Sequence, residues 1–329
     1  MFFLNKVAFF DTKSYDKESF NKFENENIKI RFFENKLNID TVSMARGADA
    51  VCVFVNDSID KEVINELSEL GVGHIALRCS GYNNVDLKAA KGKVKVSHVP
   101  AYSPYAIAEH TMGMILTLNR KLHRAYIRTR DHNFSLESLI GFDLHGKTVG
   151  IIGTGKIGCA MAEICRGFGM EILGYDPFKN SNFCGKNVDL DELFKKSDII
   201  SLHCPLSKEN YKLINKNTIE KCKNGVFIIN TSRGKLVDTA DVIAGLKSGK
   251  IGAAGLDVYE EETEVFFEDF SDEIIKDDTL STLISMPNVI VTSHQAFLTR
   301  EALNKIAETT MENLESFFEG KELKNEISV

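Results

Sequence analysis

Short apolar runs alternate with amphipathic segments through the first hundred residues. Segments such as DKEVINELSELG have helical periodicity, and the apolar runs between such segments are VAFFD, IKIRFFE, AVCVFVN, HIALRC and VKVSHVP. Strands that alternate with helices of this length form right-handed βαβ crossovers in a parallel sheet. The pattern therefore predicts one small α/β domain.

The same alternation begins again after Gly146. Here the apolar runs are KTVGIIGTG, MEILGYD, DIISLHCP, GVFIINTS, IGAAGLDVY and NVIVTSH. Strands in this number, separated by helical segments, predict a second, larger, doubly wound sheet of six strands.

Two longer amphipathic segments lie outside these sheets. The first, of about 30 residues, has almost no helix breakers once Ser103 is placed as N-cap and Pro104 at the first helical position. We expect it to form one long helix leading from one domain to the next. The second, TREALNKIAETTMENLESFFEG, needs a partner for its apolar face. If that partner is the first domain, the domains are 1–101 plus 299–329, which is discontinuous, and 102–298.

Composition limits the classes of partner. The chain has 329 residues, of which 43% are hydrophobic and 26% charged, and its formal net charge is -7. This mild acidity argues against nucleic acid and anionic membranes, whereas a small anionic substrate needs only one local cation. The seven cysteines are scattered and form no C-x-x-C pair, so we expect free thiols, a cytoplasmic protein and no metal site.

A glycine-rich segment is a candidate phosphate-binding loop. Gly153, Gly155 and Gly158 form a G-x-G-x-x-G pattern that follows an apolar strand and opens an amphipathic helix. In this context the loop, which includes Lys156 and Ile157, is expected to hold a dinucleotide pyrophosphate against the helix N-terminus.

The next strand ends at Asp176, 18 residues after Gly158. A carboxylate at about this spacing binds the ribose hydroxyls of a dinucleotide. Its negative charge would repel the 2′-phosphate of NADP, although Lys179 lies nearby. The sequence therefore predicts NAD as the cofactor.

Three polar side chains follow strands of the second sheet: Arg233 after GVFIIN, Glu262 after GLDVY and His294 after VIVTS. Arginine binds a carboxylate with two parallel hydrogen bonds, histidine exchanges a proton near neutral pH, and a carboxylate stabilises imidazolium. These are the groups that reduction of a 2-oxo acid by hydride requires. Because parallel strands end at one sheet edge, we expect the three to converge there.

Other histidines are rivals for the acid/base role. His203 also ends a strand, while His110 and His123 lie on the long helical segment. Only His294 combines a strand-end position with arginine and glutamate partners, so we predict that it is the proton donor.

The motifs GTGKIG, HCPL, NTSRG, GLDVYE and SHQAF, in this order, resemble those of the D-isomer-specific 2-hydroxyacid dehydrogenases. Within that family the chain is most similar to the fermentative NAD-dependent D-lactate dehydrogenases. The resemblance implies two doubly wound parallel-sheet domains: a Rossmann NAD-binding domain and a smaller flavodoxin-like substrate domain.

The resemblance also assigns roles to residues. Arg233 would hold the substrate carboxylate, His294 would be the acid/base, and a glutamate would tune that histidine. Glu262 is chosen because the family's glutamate lies five residues after the aspartate of LDVYE, here Asp257. Glu260 and Glu261 are its rivals within the same acidic run.

Further positions follow from the same resemblance. Those expected along the cofactor are Cys204, Pro205, Asn210, Thr231, Ser232 and Asp257. Those expected at the substrate are the backbone near Ser80 and Gly81, the Tyr102 side chain, and Phe297 as an apolar wall.

The predicted reaction is reduction of pyruvate to D-lactate by NADH. The nearest alternative is a sister enzyme that reduces glyoxylate, hydroxypyruvate or phenylpyruvate, and a more distant one is a non-catalytic NADH-sensing protein. The resemblance also implies assembly through the cofactor domain, as a homodimer or homotetramer.

Overall fold

The computed structural model describes residues 4–23, 26–260, 266–267 and 269–327. The chain divides into two compact units: unit 1 comprises Met1–Ser103 and Leu298–Val329, and unit 2 comprises Pro104–Phe297. Each unit contains a parallel sheet with helices, which confirms the predicted fold class.

The strands follow the predicted apolar runs. They are β1 (Asn5–Phe9), β2 (Ile28–Phe32), β3 (Ala50–Val53), β4 (His74–Leu77), β5 (Lys95–Ser97), β6 (Thr148–Ile152), β7 (Glu171–Tyr175), β8 (Lys186–Asn187), β9 (Ile199–Leu202), β10 (Val226–Asn230), β11 (Ile251–Leu256) and β12 (Val289–Val291).

The α-helices occupy the segments between strands and the C-terminal region. They are α1 (Ser14–Phe20), α2 (Lys61–Glu69), α3 (Leu87–Ala90), α4 (Pro104–Arg120), α5 (Leu122–Arg130), α6 (Lys156–Gly167), α7 (Leu190–Lys196), α8 (Lys216–Lys221), α9 (Thr239–Ser248), α10 (Asp278–Ser285) and α11 (Arg300–Phe318).

In unit 1 the strand order is β2-β1-β3-β4-β5, the flavodoxin-like order. Helix α11 belongs to this unit, and its Ala307, Met311 and Leu314 pack into one core with Phe9 and Phe20. Thr299 caps the helix, since its hydroxyl accepts a hydrogen bond from the backbone N–H of Ala302 at 3.2 Å. The apolar face of the C-terminal segment is therefore buried within unit 1.

In unit 2 the strand order is β12-β11-β10-β9-β6-β7-β8. The order reverses at β6 and β9, and the crevice beyond the carboxyl ends of such strands is where open α/β sheets bind ligands. The prediction of six strands is wrong by one, because β8 adds an edge strand beside β7. A strand of two polar residues has no apolar pattern by which it could be predicted from the sequence.

The single long helix predicted after Ser103 is also wrong, because α4 ends and α5 begins around Lys121. Lys121 has φ 52° and ψ 38°, the left-handed conformation. The end of α4 is held by a distant segment: the Asn119 amide donates to the Phe142 carbonyl at 2.7 Å and accepts from its N–H at 2.9 Å. Leu122, the first residue of α5, is 53% exposed.

The described part of the chain contains no helix long and apolar enough to cross a membrane. All seven cysteines are free thiols, as the sequence predicts.

Candidate functional site

The loop between β6 and α6 is built on three glycines with different roles. Gly153 has φ 96°, and a Cβ there would lie 2.5 Å from the His203 carbonyl carbon. A Cβ on Gly158 would overlap the Gly153 carbonyl, whereas a Cβ on Gly155 would meet nothing within 4 Å. Two glycines thus allow close backbone packing, and the third leaves the loop open to a ligand.

This opening lies at the start of α6. Gly155 is the N-cap and provides no side-chain cap, and the first turn carries no acidic residue. The backbone N–H groups of Lys156 and Ile157 therefore lie at a helix end whose partial positive charge favours an anion. The loop fits a dinucleotide pyrophosphate.

Asp176 follows β7 and lies against the glycine loop. Its Oδ2 accepts from the Thr154 N–H at 2.8 Å, and its Oδ1 accepts from the Phe178 N–H at 2.9 Å. Hydrogen bonds from two backbone N–H groups thus fix the carboxylate beside the loop. A fixed negative charge here suits ribose hydroxyls and disfavours a phosphate.

The segment after β9 is fixed by Asn210. Its amide nitrogen donates to the Pro205 carbonyl at 2.7 Å and lies 3.7 Å from the Cys204 sulfur, and its oxygen accepts from the Ser207 N–H at 2.7 Å. Asn210 therefore shapes the loop that carries Cys204 and Pro205.

Residues 230–234, here called the Arg233 turn, follow β10. The fully buried Asn230 closes this turn, because its amide donates to the Arg233 carbonyl at 2.9 Å and its oxygen accepts from the Ser232 N–H at 3.0 Å. The Ser232 hydroxyl donates to the Cys204 carbonyl at 2.6 Å, and Thr231 is buried. These bonds fix the backbone that carries Arg233.

The Arg233 guanidinium is half-buried and donates to the Ser232 carbonyl at 2.7 Å. It forms no ion pair with any residue that the structure describes. Its remaining N–H groups can therefore bind a carboxylate.

The Arg233 turn packs backbone to backbone against the end of the LDVYE segment, since a Cβ on Gly234 would overlap the Tyr259 carbonyl. Glu260 is committed elsewhere: it lies 3.0 Å from the Lys212 Nζ and 3.2 Å from the Thr239 hydroxyl. These bonds argue against Glu260 as the partner of His294. Glu261 and the predicted Glu262 lie outside the described residues.

Residues 292–296, here called the His294 turn, follow β12. His294 has φ 53°, a left-handed conformation that is uncommon for a residue with a Cβ. Its N–H donates to the Asp257 carbonyl at 2.7 Å and contacts the Thr292 carbonyl at 3.1 Å. The half-buried imidazole lies 5.9 Å from the Phe267 ring, centroid to centroid.

Asp257 follows β11 and is fully buried. Its carboxylate accepts from the Thr292 hydroxyl at 2.6 Å and from the N–H groups of Gln295 and Ala296, both at 2.9 Å. Burial raises the pKa of this carboxyl, but hydrogen bonds from His110, Thr292 and these N–H groups outweigh burial and lower it. Asp257, which is expected along the cofactor, also holds the backbone of the His294 turn.

The rival histidines have other positions. His203 Nε2 lies 2.8 Å from the Ser201 hydroxyl, and burial lowers the pKa of His203 to about 4, so it is neutral near pH 7. His110 faces Asp257 and Thr292, while His123 lies on α5. His294 follows β12, which belongs to the same sheet as β10 and the Arg233 turn. It therefore remains the predicted proton donor.

The remaining predicted residues fall as follows. In unit 1, Ser80 and Gly81 follow β4, and the Ser80 carbonyl lies 2.9 Å from His98 Nδ1. Tyr102, half-buried, belongs to the same unit. In unit 2, Phe297 is 9% exposed and follows the His294 turn. Among the described side chains, no cluster of three histidine, cysteine or acidic groups could hold a metal ion.

Several residues that shape the site were not predicted. They are Asn230, Thr292, His110 and Lys212. Asn230 and Thr292 could have been found, because both are polar and border an apolar strand. The contacts of His110 and Lys212 join residues far apart in the chain and have no local signal.

A doubly wound sheet with this glycine loop, and with arginine and histidine at the same sheet edge, defines a dinucleotide-dependent oxidoreductase. The family pattern described as "D-isomer specific 2-hydroxyacid dehydrogenase, NAD binding domain" matches residues 112–296. The chain is 51% identical to the D-lactate dehydrogenase of Escherichia coli over 327 residues, covering 98% of this chain and 99% of that protein.

Other comparisons agree. The chain is 53% identical to a 2-hydroxyacid dehydrogenase homolog of Haemophilus influenzae over 325 residues, covering 97% of this chain and 98% of that protein. A solved structure described as the pyruvate reductase of Chlamydomonas reinhardtii superposes with a TM-score of 0.94 at 43% identity, covering 98% of this chain and 99% of the other.

The chain belongs to the D-isomer-specific 2-hydroxyacid dehydrogenase family. This confirms the family and enzyme class predicted from the sequence, and it confirms NAD as the cofactor.

Proposed function

We propose that this protein is an NAD-dependent D-lactate dehydrogenase that reduces pyruvate to D-lactate. The observation that carries the proposal is that the Arg233 turn and the His294 turn lie at the same edge of one sheet. The glycine loop lies at this edge as well. Support for this substrate comes from the Escherichia coli relative, which is named D-lactate dehydrogenase.

The cofactor would be held by the residues whose geometry fits it. The backbone of Gly153, Gly155 and Gly158, with Lys156 and Ile157, would bind the pyrophosphate, and Asp176 would bind the adenosine ribose. Bound NADH supplies the hydride. The residues expected along the rest of the cofactor are Cys204, Pro205, Asn210, Thr231, Ser232 and Asp257.

The chain's own chemistry then consists of two tasks. Arg233 binds the substrate carboxylate through guanidinium donors that form no ion pair with the described residues, and this orients the keto carbon. Protonated His294 donates its proton to the substrate oxygen as negative charge develops there. A carboxylate near the imidazole would keep it protonated. Glu262 remains our candidate because of its spacing from Asp257, and the ion pair of Glu260 with Lys212 argues against Glu260.

Four further residues are proposed at the substrate. We assign the backbone near Ser80 and Gly81 and the Tyr102 side chain to substrate binding, and Phe297 to the apolar wall beside the substrate methyl group. If this wall leaves room only for a methyl group, it favours pyruvate, because the larger side chains of other 2-oxo acids do not fit.

We further propose that the protein is a cytoplasmic homodimer or homotetramer assembled through unit 2. Helix α5 and the segment after it expose a group of large apolar side chains, a pattern that marks association surfaces. Their exposed fractions are 62% for Tyr126, 59% for Ile127, 72% for Phe134, 81% for Leu136 and 86% for Ile140. The free cysteines support a reducing compartment.

The test is steady-state oxidation of NADH with pyruvate, phenylpyruvate, oxaloacetate and glyoxylate, followed by chiral chromatography of the product. We expect the highest kcat/KM with pyruvate and a product that is D-lactate. A preference for another acid would replace the substrate assignment, L-lactate would contradict the proposal, and NADH binding without turnover would indicate a sensor protein.

A further inference from the structure

The turn that carries His294 is in an unfavourable backbone conformation. A left-handed φ is unfavourable for a residue with a Cβ, so surrounding contacts must hold the turn. The carboxylate and carbonyl of Asp257 provide these contacts, by accepting from the N–H groups of His294, Gln295 and Ala296. The position of His294 therefore depends on the position of Asp257.

Asp257 is itself held by a side chain from helix α4. His110 Nε2 lies 3.5 Å from Asp257 Oδ1 and 3.3 Å from the Thr292 hydroxyl. Because the Thr292 hydroxyl already donates its proton to Asp257, Nε2 must carry the hydrogen in the contact with Thr292. His110 thus supplies an N–H to a fully buried carboxylate.

The next residue on α4 contacts the other catalytic turn. The Thr111 hydroxyl donates to the Ile107 carbonyl at 2.7 Å and lies 3.0 Å from the Thr231 hydroxyl. Since the Thr111 proton is used on Ile107, the Thr231 hydroxyl is the donor in this buried contact. Adjacent residues of one helix therefore hold the His294 turn and the Arg233 turn.

We propose that His110 and Thr111 are positioning residues, which set the spacing between the proton donor His294 and the carboxylate-binding Arg233. The proposal rests on the proposed function. Helix α4 is suited to this role because Met112 and Ile115 anchor it in the core under the same sheet. Small displacements of a proton donor reduce turnover strongly, because the reacting atoms must be held close to their productive geometry.

The test compares, in the full chain, variants that lose the hydrogen-bonding group with variants that keep one. His110→Leu removes the N–H donor, and His110→Gln keeps one at similar reach. We expect His110→Leu to lower kcat roughly tenfold to a hundredfold, as for loss of a hydrogen bond to a charged group. We expect the Kd for NADH to stay within about twofold, and His110→Gln to recover most of kcat.

Thr111→Val and Thr111→Ser form the second pair. Valine keeps the shape without the hydroxyl, so we expect a roughly threefold to tenfold higher KM for pyruvate, with a smaller change in kcat. Serine keeps the hydroxyl and should resemble the wild type. The matched control is His145→Leu: His145 is exposed, lies before the amino end of β6, and is therefore at the opposite sheet edge.

Hydrogen exchange gives a readout that does not depend on turnover. In His110→Leu we expect the amides of Gln295 and Ala296 to exchange at least about tenfold faster, and in His110→Gln at close to the wild-type rate. If wild-type protein reduces no 2-oxo acid, the proposed function fails while the exchange experiment still decides the positioning role. Wild-type kcat and exchange in His110→Leu, or equal losses in the leucine and glutamine variants, would overturn the proposal.

Discussion

At the carboxyl edge of the unit 1 sheet, charged side chains are buried against one another, whereas at the same edge of the unit 2 sheet an arginine and a histidine lie on hydrogen-bonded turns and are half-buried. In unit 1, Asp11, Asp57 and Arg78 follow strands β1, β3 and β4 and are at most 3% exposed. In unit 2, Arg233 and His294 follow β10 and β12 and are half-buried. Parallel sheets collect polar groups at this edge in both units, but Arg78 lies beside the carboxylate of Asp16, whereas Arg233 forms no ion pair with any described residue.

The difference lies in how each charge is balanced. The Arg78 guanidinium lies 4.5 Å from the Phe9 ring centroid and 4.8 Å from that of Phe54, and it donates to the Asp11 carbonyl at 2.7 Å. Its Nε is 3.4 Å from Asp16 Oδ1. Arg78 therefore stabilises unit 1 by neutralising buried acids. Arg233 has no comparable acid among the described residues, which fits a role in binding a substrate anion.

The largest effect on stability is expected from Arg78→Met, which leaves the buried Asp16 without its cation. Removing one partner of a buried ion pair costs about 3–5 kcal/mol. Urea unfolding at neutral pH measures this loss. Lys17→Met is the control, because Lys17 pairs with Glu34 at 3.8 Å on the surface, and such pairs contribute less than about 1 kcal/mol. Equal losses in the two variants would contradict the contrast between buried and exposed pairs.

A second effect concerns Asp57 and pH. Burial raises the pKa of this carboxyl from 3.8 to about 6, despite Arg78 and bonds from the Phe54 and Leu37 N–H groups. The folded state thus binds the proton more tightly than the unfolded state, so this contribution to stability is complete below about pH 4 and is lost as pH rises through about 6. Asp57→Asn lacks this contribution.

The free energy of unfolding of Asp57→Asn minus that of the wild type should therefore increase from about pH 4.5 to about pH 7, by on the order of 2 kcal/mol. Urea titrations of both proteins at each pH measure this difference, which removes the contributions of other groups. A difference that stays constant or decreases would show that Asp57 is ionised throughout this range.

The smallest effect is expected at Asp176, on the unit 2 edge. Asp176→Ala removes the carboxylate beside the glycine loop, and hydrogen bonds to a charged group contribute about 1.5–3 kcal/mol. We expect NADH to bind at least about tenfold more weakly, with much less change for NADPH. Fluorescence titration measures both affinities, and Asp189→Ala, which removes the N-cap of α7, is the control. Equal losses for both dinucleotides would refute the ribose assignment.

The sequence predicts the strands of the two sheets better than it predicts contacts between segments that are distant in the chain. Apolar, β-branched runs locate the strands because burial on both faces of a parallel sheet requires them. The break at Lys121 has no local signal, since neither glycine nor proline marks it and its cause is the docking of Phe142 on Asn119. Local pattern cannot report a contact between distant segments.

The same limit applies to the site. Arg233 and His294 are evident because each follows an apolar strand and has a chemistry suited to a 2-oxo acid. The role of Asp257 under the His294 turn depends on His110, which is remote in the chain and reaches it only through the packing of α4. Motifs therefore predict the reacting groups, and the structure shows the hydrogen bonds that hold the turns carrying them.

The central claim is that the carboxyl edge of the unit 2 sheet holds the proton donor and the carboxylate-binding group. It is tested most directly by kinetics of His294→Gln with NADH and pyruvate, with Arg233→Gln assayed beside it. We expect His294→Gln to lower kcat by about 10²- to 10⁴-fold with nearly unchanged NADH affinity, and Arg233→Gln chiefly to raise KM for pyruvate. Wild-type turnover in His294→Gln would contradict the account.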